Sequence, residues 1–321
     1  FAATILCSCE DWLEEQAYST IVDTDIEDSN DGAKLWVTGV YNSLQRMYVY
    51  DEFPRSIELD NDYSTGASWA YGEMGAGNFQ GQTRQGDVVW KLNYELINAS
   101  NEAIFQIGRM NNLTERQKNN HLGEMYTLQA YSYFMIVQAY DPCPLFSKSI
   151  NQGEEAYQPR QPVEKVYQHI IKLLDDAKDM LYKRDDRNEY EEGHVCAGAA
   201  ASLLAKVYAA IGSASMPTGA TITVKGGTAY TMSGSTKTLT EPQDVVIAKD
   251  LVAGYDGFDP QEYYQKALDP ATDIVVNKKY GDQIHIPSPE LRSKPGRDTR
   301  EHFFAYYGKS GDDKPGNHVE P

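Results

Sequence analysis

Apolar residues recur at helical spacing along most of this chain. Between Gly32 and Tyr50, Leu35, Val40, Leu44 and Met47 fall on one face, which predicts a helix. Gly86 to Met110 repeats the pattern with Trp90, Tyr94, Ile97 and Asn101 at intervals of three or four. Thr114 followed by Gln117 has the form of a capping box, and the helix it opens runs to about Tyr140 with Leu122, Tyr126, Ala130, Tyr133 and Val137 as its inward stripe. Asp141-Pro142 ends it, because proline lacks the amide proton the ladder needs. The clearest period lies at Val163, Val166, Tyr167, Ile170, Ile171, Leu174, Ala177 and Leu181. After a charged connector (183–193), the small-residue run Cys196 to Ile211 predicts a helix that a neighbour can approach closely.

The pattern then changes. Pro217 to Pro242 is rich in Gly, Thr and Ser with short alternating runs such as Thr221 to Val224, which predicts a β-hairpin or irregular excursion. Helical character is expected again over Asp244 to Ala253. It is expected once more over Pro260 to Asn277, where Tyr264, Ala267, Leu268, Ala271, Ile274 and Val275 would line the buried face. Paired helices over 163–211 and 244–277 predict tetratricopeptide-like units. The fold class expected is therefore all-α, built of tetratricopeptide-like helical hairpins with long irregular loops and a small β-rich insertion. The organisation follows: residues 1–8 a signal-peptide remnant, 9–213 a helical N-terminal region, 214–243 the insertion, and 244–321 a C-terminal region.

The amino end adds a location. Phe1 to Leu6 is mostly apolar, and Leu6-Cys7-Ser8-Cys9 places an apolar residue three before, and a small residue directly before, a cysteine. That is the form of a bacterial lipobox, with Cys9 as the lipidated residue. Cys7 fits less well, since Thr4-Ile5-Leu6 is a poor lipobox. An apolar run this short does not span a bilayer, which takes about 20 residues. The chain carries a formal net charge of −18. Such a surface repels phosphate backbones and anionic lipid, so no nucleic-acid partner is expected and the membrane attachment must be covalent. Cys143 and Cys196 either pair in an oxidising compartment or stay as free thiols.

Five stretches in order resemble one family. Cys9-Glu10-Asp11-Trp12-Leu13 resembles the mature start of SusD/RagB-like outer-membrane lipoproteins. Trp90, Tyr94, Ile97, Asn98 and Asn101 are similar to that family's helix motif, and Gly123 to Phe134 to its GEAxxLRAxxYF segment. Val163 to Leu181, and Gly193-His194-Val195 with Ala197 to Tyr208, resemble its next two helices and their connector. The resemblance implies a tetratricopeptide-like helical fold bearing an irregular binding face and anchored at the outer membrane. It implies a SusC-like TonB-dependent transporter as partner and an oligosaccharide, or in some relatives a peptide, as ligand. Members continue beyond this length, so the resemblance implies that residues 244–321 begin a longer region supplying part of the ligand surface. Gln129 stands where the family often has arginine, which implies a weaker structural hydrogen bond there.

Glycan binding needs flat aromatic faces flanked by amides and carboxylates. The Gly-rich segment 51–85 offers both. Trp69 and Tyr71 are the expected stacking platforms, and Asp60, Asn61 and Asn78 the hydrogen-bonding candidates. Trp69 has the alternative role of pinning its loop to the helical core. The helical spacing of Trp90, Tyr94, Asn98 and Asn101 points instead to packing and side-chain capping. Asp60-x-Asp62-x-Ser64 is similar to part of a calcium loop, but Thr65 occupies the position of the turn glycine, so calcium is weakly supported and no other cofactor is expected. The six histidines are scattered and read mostly as surface or helix-end residues. The chain has no GxSxG elbow, HExxH helix or P-loop, and no enzyme activity is expected. The alternatives are a lipid-anchored glycoside hydrolase and a helical protein-binding adaptor.

Overall fold

The computed structural model describes residues 26–49, 83–186, 188–225, 230–239, 241 and 243–281. Six α-helices dominate them: α1 (Asn30–Val49), α2 (Thr83–Arg109), α3 (Glu115–Tyr140), α4 (Val163–Met180), α5 (Ala197–Ala214) and α6 (Pro260–Val275). Each packs on the next in sequence, and α1 also reaches α3. The result is the stack of helical hairpins that the periodicity predicts.

Local chemistry sets the helix starts. Ser29 Oγ accepts from the Gly32 amide at 3.1 Å at the head of α1. At α3 the capping box forms in full: Thr114 Oγ1 accepts from the Gln117 amide, and Gln117 Oε1 accepts from the Thr114 amide at 3.0 Å. Asp28 ties these two helices together, its carboxylate accepting from the Asn111 and Asn112 amides at 3.0–3.1 Å, which holds it below the usual carboxylate range. Asp141 ends α3 in a positive-φ conformation (55°), its amide still bonded to Val137 O, and turns the chain into the connector that follows.

α3 is the central helix, buried on nearly every side along 120–137, as a helix contacted by α1, α2 and α4 must be. Gly123 lets α4 come close. A Cβ there would lie 2.9 Å from Leu181 Cγ and 3.3 Å from Met180 Cβ. Gly212 does the same between α5 and α6, where a Cβ would meet the Tyr264 ring at 3.2 Å. α5 is long and apolar enough to cross a membrane by length and composition, but here it is packed between α4 and α6. Cys143 and Cys196 are both buried and not joined in a disulfide, and burial pushes the Cys143 thiol up to about 11.

Three expectations change. Leu35 is 48% exposed; the buried stripe of α1 runs through Ala33, Val37, Val40, Leu44 and Met47 instead. The segment expected to be helical at 244–253 begins with a strand. Strand β4 (Asp244–Ala248) pairs antiparallel with β1 (Thr221–Lys225), Thr221 opposite Ala248 and Lys225 opposite Asp244. Nested inside, β2 (Tyr230–Ser233) pairs with β3 (Thr236–Leu239) through a two-residue turn at Gly234 (φ 60°). The excursion thus includes Val245-Val246-Ile247, whose β-branched side chains favour a pleated ribbon over a helix. The third change concerns α6. Pro270 and Ile274 are buried, whereas Tyr264, Leu268 and Val275 of the expected inner face are exposed, Leu268 by 54%.

Candidate functional site

A cavity lined by described residues is built on each of two of the motifs above. The first lies under the connector between α3 and α4 (141–162). That connector closes on itself: the Gln161 amide donates to Cys143 O at 2.9 Å, and a 3-10 turn (Ile150–Gln152) with Gly153 in a left-handed conformation (φ 81°) folds its middle. Polar side chains of α2 hold it in place. Asn101 Nδ2 donates to the carbonyls of Phe146 and Lys148, both at 3.1 Å; Asn98 Oδ1 accepts from the Ile150 amide at 2.9 Å; Tyr94 Oη donates to Pro144 O at 2.9 Å. Asn101 Oδ1 in turn accepts from Gln129 Nε2 at 2.7 Å in the interior. The glutamine in the arginine position therefore keeps a buried hydrogen bond to this network.

Trp90, Tyr94, Ile97, Pro144, Phe146 and Ile150 wall a pocket of ≈ 220 Å³ at this junction. Its rings brace one another: Trp90 lies 4.8 Å from Tyr94 and edge-on to Tyr140 at 5.2 Å, and Tyr94 is edge-on to Phe146 at 5.5 Å. The expected packing-and-capping role of Trp90, Tyr94, Asn98 and Asn101 is what the contacts show. The same residues also leave a concave aromatic surface.

The second cavity, ≈ 350 Å³, is polar and centres on Glu124. The Glu124 side chain is 2% exposed. His194 Nδ1 lies 2.7 Å from Oε2, Tyr41 Oη donates to the same oxygen at 2.8 Å, and Asn120 Nδ2 donates to Oε1 at 3.0 Å. His121 Nδ1 stands 3.8 Å from Oε1, beyond hydrogen-bond reach. Burial works against the carboxylate, but His121, His194 and Tyr41 outweigh it and hold Glu124 below the usual range. Burial likewise opposes the His194 cation, and Glu124 overrides it and raises the imidazole. The partners spread outward: Tyr41 Oη accepts from the Val195 amide at 2.8 Å, and Asn120 Oδ1 accepts from the Tyr182 amide at 2.8 Å. One acid thus fastens α1, α3 and the 182–195 connector.

His121 and His194 were not singled out by the sequence. His194 sits 70 residues from Glu124, and no periodicity links them; the pairing of Gly193-His194-Val195 with Gly123-Glu124 as family landmarks is the only signal that bears on it. The expected site residues Trp69, Tyr71, Asp60, Asn61 and Asn78, the lipidation residue Cys9 and the calcium-like loop all lie outside the described residues. Among the described residues, no group of three or more His, Cys, Asp or Glu side chains is placed to hold a metal ion.

Residues 11–209 match the model of a SusD-like family described as starch-binding and associating with the outer membrane. SusD-like protein P38 of Formosa agariphila is 26% identical over 183 residues, which cover 55% of this chain and 35% of that protein. Among solved structures, a SusD superfamily protein from Bacteroides fragilis aligns with a TM-score of 0.60 at 17% identity over 88% of this chain and 50% of its own. A SusD homologue from Bacteroides thetaiotaomicron aligns with a TM-score of 0.51 at 20% identity over 59% and 38%. The matches span half or less of each relative's length. The two structures share the fold, and the family model covers more than half of the sequence: the chain belongs to the SusD-like family.

Proposed function

We propose that the chain is a cell-surface lipoprotein that captures oligosaccharides without cutting them and passes them to a SusC-like TonB-dependent transporter. The family match over residues 11–209 is the observation that carries this reading. The buried carboxylate of Glu124 is not suited to general-acid work. Glycoside hydrolysis needs a carboxylic acid whose pKa is raised so that it can donate a proton. Glu124 is shifted the opposite way and is saturated by its neighbours, so it serves as architecture.

Trp69 and Tyr71 are proposed as the stacking platforms, with Asp60, Asn61 and Asn78 bonding sugar hydroxyls. Lipid on Cys9 is proposed to hold the protein at the outer membrane, where a multiply acylated residue supplies the second chain that stable anchoring requires. Titration of an oligosaccharide panel tests the binding claim. Trp69→Ala is expected to weaken binding about tenfold, the order of one ring contact; unchanged affinity removes Trp69 from the site. Cys9→Ala is expected to shift the protein from the membrane to the soluble fraction, and continued membrane retention contradicts the anchor.

A further inference from the structure

The aromatic pocket under the 141–162 connector carries one inference beyond its packing role. We propose that it is a separate saccharide subsite selecting an acidic sugar, a pyranose bearing a carboxylate or a sulfate. This rests on the glycan-capture reading and adds a ligand class to it.

Size and wall come first. At ≈ 220 Å³ the pocket lies below the roughly 300–1,000 Å³ typical of larger small-molecule ligands, so it suits a single ring. Trp90, Tyr94 and Phe146 offer ring faces and edges to the apolar side of that ring, and their mutual contacts fix them before any ligand arrives. Tyr94 Oη and Asn98 Oδ1 are already engaged by the connector backbone, so they set the wall's position.

The rim supplies the charge selection. Lys148 lines the pocket, and the Arg160 guanidinium stands 5.6 Å from the centre of the Trp90 ring. Neither side chain has a carboxylate partner among the described residues, in a chain where 47 acidic residues face 29 basic ones. On the same connector, Glu154 is held by Ser147 Oγ and Gln158 Nε2, and Glu155 is exposed. An apolar wall with Lys148 in its lining and Arg160 stacked on the Trp90 ring matches a ring that carries an anion. Beside the lining residue Ala156, Tyr157 is 96% exposed, an amphipathic ring left in solvent where the next sugar of a chain would lie.

The test is calorimetric titration of the full-length protein with tetragalacturonate, a sulfated galactan tetrasaccharide and neutral maltotetraose. The double variant Lys148→Glu, Arg160→Glu alters two exposed side chains, leaves the connector's backbone hydrogen bonds to Tyr94, Asn98 and Asn101 in place and gives up the Arg160 contact with the Trp90 ring. It is expected to bind at least one acidic probe about tenfold or more weakly than the parent, with the parent's acidic binding falling as salt rises. Neutral binding through the Trp69 region is expected to be unchanged. Equal affinity of variant and parent for the acidic probes overturns the subsite, as does a parent that binds maltotetraose but neither acidic probe. A parent that binds no glycan at all overturns the capture reading and the subsite together.

Discussion

The cavities at Trp90 and at Glu124, both lined by described residues, are opposites in chemistry. Around Glu124 the acid accepts from three side chains, and two of them, Tyr41 and Asn120, bind backbone groups of the 182–195 connector. Around Trp90 the polar atoms that face the backbone are likewise engaged, but Lys148 in the lining and Arg160 against the Trp90 ring have no carboxylate partner among the described residues. A polar group with every bond made to its own chain stabilises the fold and is closed to ligand. A concave aromatic wall with free charge at its edge is open to one. Burial of a carboxylate is therefore no sign of catalysis here, and the least polar cavity is the better candidate for recognition.

Breaking the first region should cost the most. Glu124→Ala leaves His194, Tyr41 and Asn120 without their common acceptor, and removing one partner of a buried ionic network costs about 3–5 kcal/mol. Chemical denaturation of the variant should show a loss of that size, and a change under 1 kcal/mol would mean the cluster is incidental. The glycine beside it separates packing from propensity. Gly123→Ala gains about 1 kcal/mol of helix propensity but drives a Cβ to 2.9 Å from Leu181 Cγ, an overpacking cost of about 1–3 kcal/mol, so net destabilisation is expected. Gly39→Ala in α1, with no described atom within 4 Å of the added carbon, should instead stabilise by about 0.5–1 kcal/mol. Equal effects at the two glycines would deny the close approach of α3 and α4.

A smaller effect is expected from pH. His194 is raised above its ordinary 6.5 in the folded chain, so its contribution is fully present below about 6.5 and is lost as pH rises through the raised value. Glu124 is lowered below its ordinary 4.5, so its contribution is present above about 4.5 and is lost as pH falls through the lowered value. The pair thus contributes most between about 4.5 and 6.5. His194→Gln should flatten the decline in denaturation midpoint above pH 6.5, whereas a parallel decline in parent and variant would assign that slope to other groups.

Most of the scaffold was legible because it is local. Helix periods, the Thr114 capping box and the stop at Asp141 are written within a few residues of where they act. Val245-Val246-Ile247 was misread because a short apolar run carries no period of its own, and the partner that makes it a strand lies some twenty residues upstream. The inner face of α6 was misplaced because burial falls on Pro270 and Ile274, while Tyr264 closes over Gly212 of α5 and stays partly exposed. The Glu124 cluster joins residues 41, 124 and 194, a tertiary relation that spacing cannot express. The Trp90 motif was read correctly as packing, but a pocket appears only once the connector folds over it.

The most direct test of the account is the fate of a bound oligosaccharide. The purified full-length protein, incubated with a glycan it binds by calorimetry, should yield that glycan back intact on chromatography after prolonged incubation. Recovery of shortened products in proportion to added protein would show an enzyme and contradict the reading of this helical stack as a capture device.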